Sequence, residues 1–329
     1  MNGHESLLIS VVSYNSGHII EQCLSHLLPL CEMDDLQVEV VLVDNASSDG
    51  TAEIAARFLS AQPKSRIRLI AGTSNVGWGA GNNLAIESAA TRPDFVLLCN
   101  PDAWIDAANL RNLIAAIQSF TPRGAIAVPY LQSSSGGHVV LGASPEWGLR
   151  HYILDRIIGA KYPYESFQRR YCGRSEAFAV ESGYASGAMA LFSYPYLLRA
   201  GFFDERIFMY HDDIDITRSI VSVGGTLVGA GNAVAFHIGA EGSKIGPDHP
   251  RGTSSAALSA ESELVFVEKW HGKRAAFALA LYRWLVSYRL AALLQRAIGR
   301  HPDDTTELRA PSARYVRLRS AARVSRQAG

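Results

Sequence analysis

The densest cluster of chemically active residues is Asp212-Asp213-Ile214-Asp215, which follows an aromatic and apolar run. Three carboxylates within four positions repel one another, and this crowding raises the pKa of at least one of them. A carboxylate with a raised pKa is suited to act as a general base. Acidic residues are also favourable in the first turn of a helix, but that effect accounts for only one of the three. We therefore expect a general base in this cluster.

A second candidate, Asp44, directly follows the predicted strand 38–43. Open α/β sheets bind ligands just outside the carboxyl ends of their strands. A carboxylate at that place can accept hydrogen bonds from a ribose hydroxyl or a pyrimidine imide. The alternative is a turn followed by a helix cap, which we favour for Asp49 because Asp-Gly-Thr supplies both.

The glycine-rich run 75–83 (Asn-Val-Gly-Trp-Gly-Ala-Gly-Asn-Asn) opens a predicted helix. It does not fit the dinucleotide pattern G-x-G-x-x-G, because Asn82 stands where the third glycine is required. Glycines still permit close backbone approach, and a helix N-terminus favours an anion. A phosphate contact and a close-packed turn without a ligand are both consistent with this run.

The tripeptide Asn100-Pro101-Asp102 follows the predicted strand 94–99. A carboxylate there can bind Mg²⁺ or Mn²⁺ that bridges a diphosphate, because these cations prefer oxygen ligands and substrate phosphates. The same tripeptide is also an ordinary turn. Asp102 is therefore a candidate metal ligand.

Short apolar runs alternate with helical patterns over the first 130 residues, as in a parallel sheet built from βαβ units. The predicted strands are 7–13, 38–43, 67–71, 94–99 and 124–130, and the predicted helices are 18–30, 51–61, 80–90 and 106–119. We interpret 132–180 as an insertion near a binding site. Beyond it we predict a strand at 186–192, helices at 195–200 and 211–223, a strand at 226–236, and helix from about 255.

Composition limits the class of protein. The chain has 329 residues, 48% of them hydrophobic, and a net charge of zero, so nothing in its overall charge points to nucleic acid. The four cysteines show no C-x-x-C spacing, which favours reduced thiols in the cytoplasm. Neither a secretion signal nor an apolar stretch of about 18 residues is visible.

Charge is unevenly distributed, because residues 273–329 carry twelve basic against three acidic side chains, or about +9. This basic tail predicts peripheral contact with the anionic inner face of the cytoplasmic membrane. The alternative is a helical extension that packs on the catalytic domain or forms a homodimer.

Taken in order, these motifs resemble family 2 glycosyltransferases, especially their rhamnosyltransferase-like members. The resemblance runs from Ser10 to about Gly242. It is carried by Val-Ser-Tyr-Asn (12–15), Val-Asp-Asn-Ala-Ser-Ser-Asp-Gly-Thr (43–51), Asn-x-Gly-x-x-x-Gly-x-Asn (75–83), Asn-Pro-Asp (100–102), Ser-Gly-Ala (186–188), Gly-Phe-Phe-Asp-Glu (201–205), Asp-Asp-Ile-Asp (212–215) and a late His237.

The resemblance implies an α/β fold of the GT-A type, with a mostly parallel central sheet flanked by helices and a C-terminal helical extension. The catalytic domain would be 1–245, with a nucleotide-binding part at about 1–130 and an acceptor and catalytic part at about 180–245. The basic extension would be 246–329.

The resemblance also implies residue roles. Asp213 would be the catalytic base, and Asp102 with His237 would bind Mg²⁺ or Mn²⁺. The donor side would comprise Asp44, Asn75, Gly77, Asn82, Asn100 and Asp102, and the acceptor side Ser186, Gly187, Asp212 and Asp215. Asn100 replaces the first Asp of the usual D-x-D, and Asp212 replaces a Glu. A single His at a strand end is as often structural as it is a metal ligand.

The implied activity is inverting transfer of a sugar from an NDP-sugar to a glycan or lipid-linked acceptor in cell-surface polysaccharide synthesis. dTDP-L-rhamnose is the expected donor, with UDP-galactofuranose and other NDP-hexoses open. Two other classes stay open at this point. One is a non-catalytic nucleotide- or sugar-binding module of a polysaccharide assembly, and the other is a nicotinamide-dependent oxidoreductase.

Overall fold

The computed structural model describes residues 4–133, 139–146, 164–239 and 255–283. Its helices are α1 (Ile20–Cys31), α2 (Thr51–Ser60), α3 (Trp78–Glu87), α4 (Ala107–Ser119), α5 (Tyr164–Tyr171), α6 (Tyr194–Ala200), α7 (Asp212–Ser222) and α8 (Ser255–Tyr282). Its strands are β1 (Glu5–Ser13), β2 (Leu36–Asp44), β3 (Ile67–Ala71), β4 (Phe95–Cys99), β5 (Ala103–Trp104), β6 (Gly124–Gln132), β7 (Val140–Leu141), β8 (Ala143–Pro145), β9 (Ala177–Ala179), β10 (Gly183–Ala185), β11 (Met189–Ser193) and β12 (Thr226–His237).

One large sheet organises the molecule, in the order β3-β2-β1-β4-β11-β6-β12-β5, with β7 on β6 and β9 on β12. Strands β3, β2, β1 and β4 are mutually parallel. Strand β11 runs antiparallel between β4 and β6, and β6 is parallel to β12. The carboxyl ends of β1, β2, β4, β6 and β12 therefore lie along one edge.

Helices cover both faces of this sheet, because successive side chains of each strand point to opposite sides. Along β1, Leu7, Ile9 and Val11 join one buried cluster, which includes side chains of α1 and α4. Leu8 and Val12 join the other cluster, with side chains of α3, α6 and α7. The strands thus contribute nearly continuous apolar runs, as expected for a sheet buried on both faces.

The strands and helices predicted over the first 130 residues, and those at 186–236, are present with shifts of a few residues at their ends. The very short strand β5 was not predicted. Parts of 132–180 form β7, β8, α5 and β9, and β8 pairs with β10 just before Ser186. Residues 134–138 and 147–163 of that segment lie outside the described residues.

The chain separates into two compact units. The first runs through Asp204 and resumes at Asp213, and the second combines Glu205–Asp212 with the C-terminal helix α8. Within the second unit, Ser262 Oγ donates a hydrogen bond of 2.7 Å to the Met209 carbonyl. The predicted boundary at residue 245 lies outside the described residues.

Helix α8 is interrupted at Gly272, whose φ of 83° is in the left-handed region that favours glycine. Arg283, one of the basic residues of the predicted tail, is buried and paired with Glu263. The tail from residue 284 onward lies outside the described residues. Across the helices that the structure describes, none has the length and apolar character needed to cross a bilayer.

Candidate active site

The sheet edge formed by the carboxyl ends of the parallel strands collects five of the predicted site residues. Asp44 ends β2, and Asn100 and Asp102 follow β4. His237 ends β12, and Gly187 lies just before β11, which begins beside the end of β4. Four segments distant in sequence therefore meet at the edge where open α/β sheets bind ligands.

Asp44 is buried and held by its own loop. Its Oδ1 accepts hydrogen bonds from Ser13 Oγ at 3.2 Å and Ser47 Oγ at 2.5 Å, and its Oδ2 accepts one from the Ser47 amide at 2.9 Å. A carboxylate has about four acceptor positions, so one is left for a ligand. Asp44 therefore fixes the loop after β2 and keeps limited capacity for a nucleotide.

Asn75 and Gly77 build the turn that starts α3. Asn75 Oδ1 accepts a hydrogen bond of 3.0 Å from the Gly77 amide. Gly77 has a φ of 98°, which a residue with a side chain rarely adopts. Its carbonyl accepts a hydrogen bond of 3.0 Å from Asn45 Nδ2, which ties the turn to the loop that follows Asp44.

Asn82 is almost fully buried between α3 and β1. Its Oδ1 accepts from Ser10 Oγ at 2.6 Å, and its Nδ2 donates to the Trp78 carbonyl at 2.9 Å. We predicted a contact with the donor, but this placement directs the side chain into the protein. Asn82 supports the glycine-rich turn by fastening α3 to the sheet.

Asn83 makes a reciprocal pair of hydrogen bonds that sequence reasoning missed. Its Nδ2 donates to the Phe203 carbonyl and its Oδ1 accepts from the Phe203 amide, both at 3.0 Å. This clamp joins the glycine-rich motif to Gly-Phe-Phe-Asp-Glu at 201–205. The co-occurrence of the two motifs in the sequence was the only available signal.

The two candidate metal ligands are brought together by β5. This strand pairs antiparallel with the end of β12, and His237 stands opposite Ala103. As a result His237 Nε2 lies 3.4 Å from Asp102 Oδ1. That oxygen is buried and accepts no hydrogen bond from the described part of the chain. A buried carboxylate oxygen facing an imidazole nitrogen is an arrangement that suits a divalent cation.

Asp102 and His237 form a pair of candidate ligands rather than a larger cluster in the part of the chain that the structure describes. Among the residues that the structure describes, no group of three or more His, Cys, Asp or Glu side chains is arranged to hold a metal ion. A cation bound here would need oxygen ligands from its substrate or from water, which is how Mg²⁺ is usually held.

Asp213 lies in the first turn of α7, half-buried beside Gly187. Its Oδ1 accepts a hydrogen bond of 2.8 Å from the Ile214 amide, and Gly187 donates to Oδ2 at 3.4 Å. Burial raises the pKa of Asp213 to about 6, although these amides oppose the rise. The prediction of a raised pKa in this cluster agrees with this value, and the largest cause of the rise is burial.

The neighbours of Asp213 differ in their placement. Asp212 and Asp215 are both buried, and Asp212 belongs to the second compact unit. Ser186 is anchored by its amide, which donates to the Gly142 carbonyl at 2.9 Å. Tyr184, which sequence reasoning missed, lies close enough that the charge of Asp213 adds to burial in raising the pKa of its hydroxyl.

This fold and edge define a nucleotide-diphospho-sugar transferase of the GT-A type. The family model described as Glycosyl transferase family 2 matches residues 8–175. The chain therefore belongs to family 2 of the glycosyltransferases, and it is rhamnosyltransferase-like in sequence. This membership excludes the nicotinamide-dependent oxidoreductase as a class.

Individual relatives agree with this assignment. The N-acetylglucosaminyl-diphospho-decaprenol L-rhamnosyltransferase of Mycobacterium tuberculosis is 27% identical over 241 residues, covering 70% of this chain and 75% of the relative. The solved structure of the mannosyltransferase PcManGT from Pyrobaculum calidifontis, in complex with GDP-Man and Mn²⁺, superposes with a TM-score of 0.50 at 19% identity. That match covers 95% of this chain and 86% of PcManGT.

A further solved structure, GalNAc-T7 with UDP, GalNAc and Mn²⁺, has a TM-score of 0.56 at 13% identity. The match covers 96% of this chain and 55% of GalNAc-T7. At these identities the two structures establish the GT-A fold that the sequence predicted.

Proposed function

We propose that this chain transfers a sugar from an NDP-sugar to an acceptor hydroxyl with inversion at the anomeric carbon, and that Asp213 is the general base. The observation that carries the proposal is the half-buried Asp213 carboxylate, whose pKa is raised to about 6, at the sheet edge that also holds Asp102 and His237. A base whose pKa lies near the working pH combines a large ionised fraction with a useful affinity for the proton.

In the reaction, the acceptor oxygen attacks the anomeric carbon from the face opposite the leaving nucleotide. Its proton passes to the Asp213 carboxylate as the new bond forms. The amides of Ile214 and Gly187 hold both carboxylate oxygens in place, so the base does not have to reorient. One displacement inverts the configuration of the sugar.

Asp102 and His237 are the residues proposed to hold Mg²⁺ or Mn²⁺. The buried, unbonded Oδ1 of Asp102 and its 3.4 Å approach to His237 Nε2 support this assignment. The cation would neutralise charge on the departing diphosphate. Asn100 supplies an amide where a second carboxylate is usual, so the chain provides less negative charge than a complete D-x-D.

The donor is proposed to be dTDP-L-rhamnose. Support comes from the mycobacterial relative, which is named as an L-rhamnosyltransferase acting on a diphospho-decaprenol-linked sugar. A lipid-linked glycan is the matching acceptor class, and synthesis of a cell-surface polysaccharide is the matching process. Such an acceptor would be met at the inner face of the cytoplasmic membrane.

A thermal-shift screen of the full chain against nucleoside diphosphates and NDP-sugars tests the proposal. Ligands that bind only the native state raise its melting temperature, by an amount equivalent to about 2.7 kcal/mol at a hundredfold excess over Kd. We expect dTDP and dTDP-L-rhamnose with Mn²⁺ to raise it and NADH to leave it unchanged. A rise in melting temperature with NADH would contradict the proposal. So would the absence of a rise with every nucleotide sugar in the panel.

A further inference from the structure

Trp78, at the start of α3, contacts both sides of the candidate site. Its indole Nε1 donates a hydrogen bond of 3.2 Å to Asn100 Oδ1. Its ring packs edge-on against Phe203, with centroids 5.4 Å apart and an interplanar angle of 83°. The Trp78 side chain is only half-buried.

The bond to the indole fixes which way the Asn100 amide points. An indole nitrogen can only donate, so the Asn100 atom that it faces must be the oxygen. The two N–H donors of the amide are then directed away from Trp78. The Asn100 backbone is held as well, because its amide donates to the Ala188 carbonyl and its carbonyl accepts from the Ala103 amide, both at 3.0 Å. Asn100 therefore presents donors in one fixed orientation.

The same ring approaches Gly187 closely. A Cβ atom added to Gly187 would lie 3.1 Å from Trp78 Cη2 and 3.8 Å from Asp213 Cβ. A contact of 3.1 Å is tighter than normal packing, so a side chain at this position would require the ring to shift by a few tenths of an ångström. Trp78 thus contacts Asn100 and also approaches Gly187, whose amide donates to Asp213.

We propose that Trp78 is a positioning residue that orients the Asn100 amide N–H groups toward the diphosphate of the donor. An amide donor then replaces the first carboxylate of the D-x-D, and it binds a phosphate oxygen directly instead of through a cation. Hydrogen bonds to charged oxygens are roughly twice as strong as neutral ones, which makes this replacement effective. The inference rests on the proposed function and adds a recognition mode for the diphosphate.

A double-mutant cycle on the full chain tests it, with dTDP and UDP as probes in calorimetric titrations. Trp78→Phe keeps the aromatic contact with Phe203 but removes the indole N–H. We expect Trp78→Phe and Asn100→Ala each to weaken nucleotide binding roughly tenfold. The double mutant should bind no more weakly than Asn100→Ala, because Trp78 acts through Asn100. Trp270→Phe, which changes an indole on α8, is the matched control and should bind as wild type.

Asn100→Asp separates direct from cation-mediated recognition. It keeps an acceptor for the indole but removes both N–H donors and adds a carboxylate. In EDTA its affinity for the nucleotide should be at least as weak as that of Asn100→Ala, because the new carboxylate also repels the diphosphate, and Mn²⁺ should restore it. The inference would be overturned if Asn100→Asp bound nucleotide in EDTA as tightly as wild type. It would also be overturned if the losses of affinity in Trp78→Phe and Asn100→Ala were additive in the double mutant. If the wild-type chain binds neither nucleotide, it is the proposed function that fails.

Discussion

At the scale of single residues, the proposed chemistry depends on how the Asp213 carboxylate differs from its neighbours. Asp213 is partly buried and accepts hydrogen bonds from two backbone amides, whereas Asp212 and Asp215 are buried more deeply. Sequence spacing identified the cluster but attributed the pKa shift to mutual repulsion. Burial is the largest cause in the folded protein, and burial depends on the packing of α7 against distant strands, which residue spacing does not reveal.

The raised pKa of Asp213 predicts the pH dependence of activity. Only the ionised form accepts a proton, so kcat/KM should be constant above pH 7 and fall about tenfold per pH unit below about 6. If the aspartate had an ordinary pKa, kcat/KM would stay constant down to about pH 4. The profile should be recorded with circular dichroism at each pH as a control for folding. A rate that stays level to pH 5 would contradict the assignment.

The proposed roles of Asp102 and His237 predict how activity depends on the concentration of divalent cations. Asp102→Asn and His237→Ala should each raise the Mn²⁺ concentration for half-maximal activity by about tenfold or more, because each removes one ligand. Asp94→Asn is the matched control, since Asp94 precedes β4 at the opposite end of the strand and bonds to Ser6.

Removal of the cation gives the complementary measurement. Exhaustive treatment with EDTA should abolish turnover, and added Mn²⁺ should restore it. Full activity of the chelated wild-type protein would show that protein donors alone stabilise the leaving group, and Asp102 and His237 would then be structural.

At the scale of elements, the geometry of the candidate site depends on contacts between motifs that lie far apart in the sequence. The long strands and helices were predictable because their apolar residues repeat with the period of each structure. Strand β5 has two residues, too few for any period, yet its pairing with β12 places His237 beside Asp102. The candidate metal ligands Asp102 and His237 could therefore be expected together only from the family resemblance and not from the pattern of elements.

The clamp between Asn83 and Phe203 gives a prediction at this scale. Asn83→Ala leaves the buried backbone amide and carbonyl of Phe203 without these partners, at a cost of about 1–3 kcal/mol each. The free energy of unfolding in urea should fall accordingly. Asn112→Ala removes an exposed hydrogen bond from the Asn112 side-chain amide to the Asn232 carbonyl. This control should change the free energy of unfolding by less than about 0.5 kcal/mol. Equal losses in the two variants would rule out a special role for the clamp.

At the scale of the whole molecule, the fold class followed from the alternation of strands and helices, and the activity class followed from the order of the motifs. What the sequence could not supply were the contacts of Trp78 and Asn83, because aromatic and amide side chains at a helix start are common in structural roles. Asn82 illustrates the converse, since a motif residue expected at the donor is buried between α3 and β1.

The most direct measurement of the central claim compares wild type with Asp213→Asn in release of NDP from an NDP-sugar, using water or a glycan acceptor. The amide keeps the size and polarity of the side chain but cannot take the proton. The rate should fall by a factor of about 10² to 10⁴, while calorimetric affinity for the donor stays close to wild type. Turnover of Asp213→Asn near the wild-type rate would contradict the account and direct the search for the base to Asp212 and Asp215.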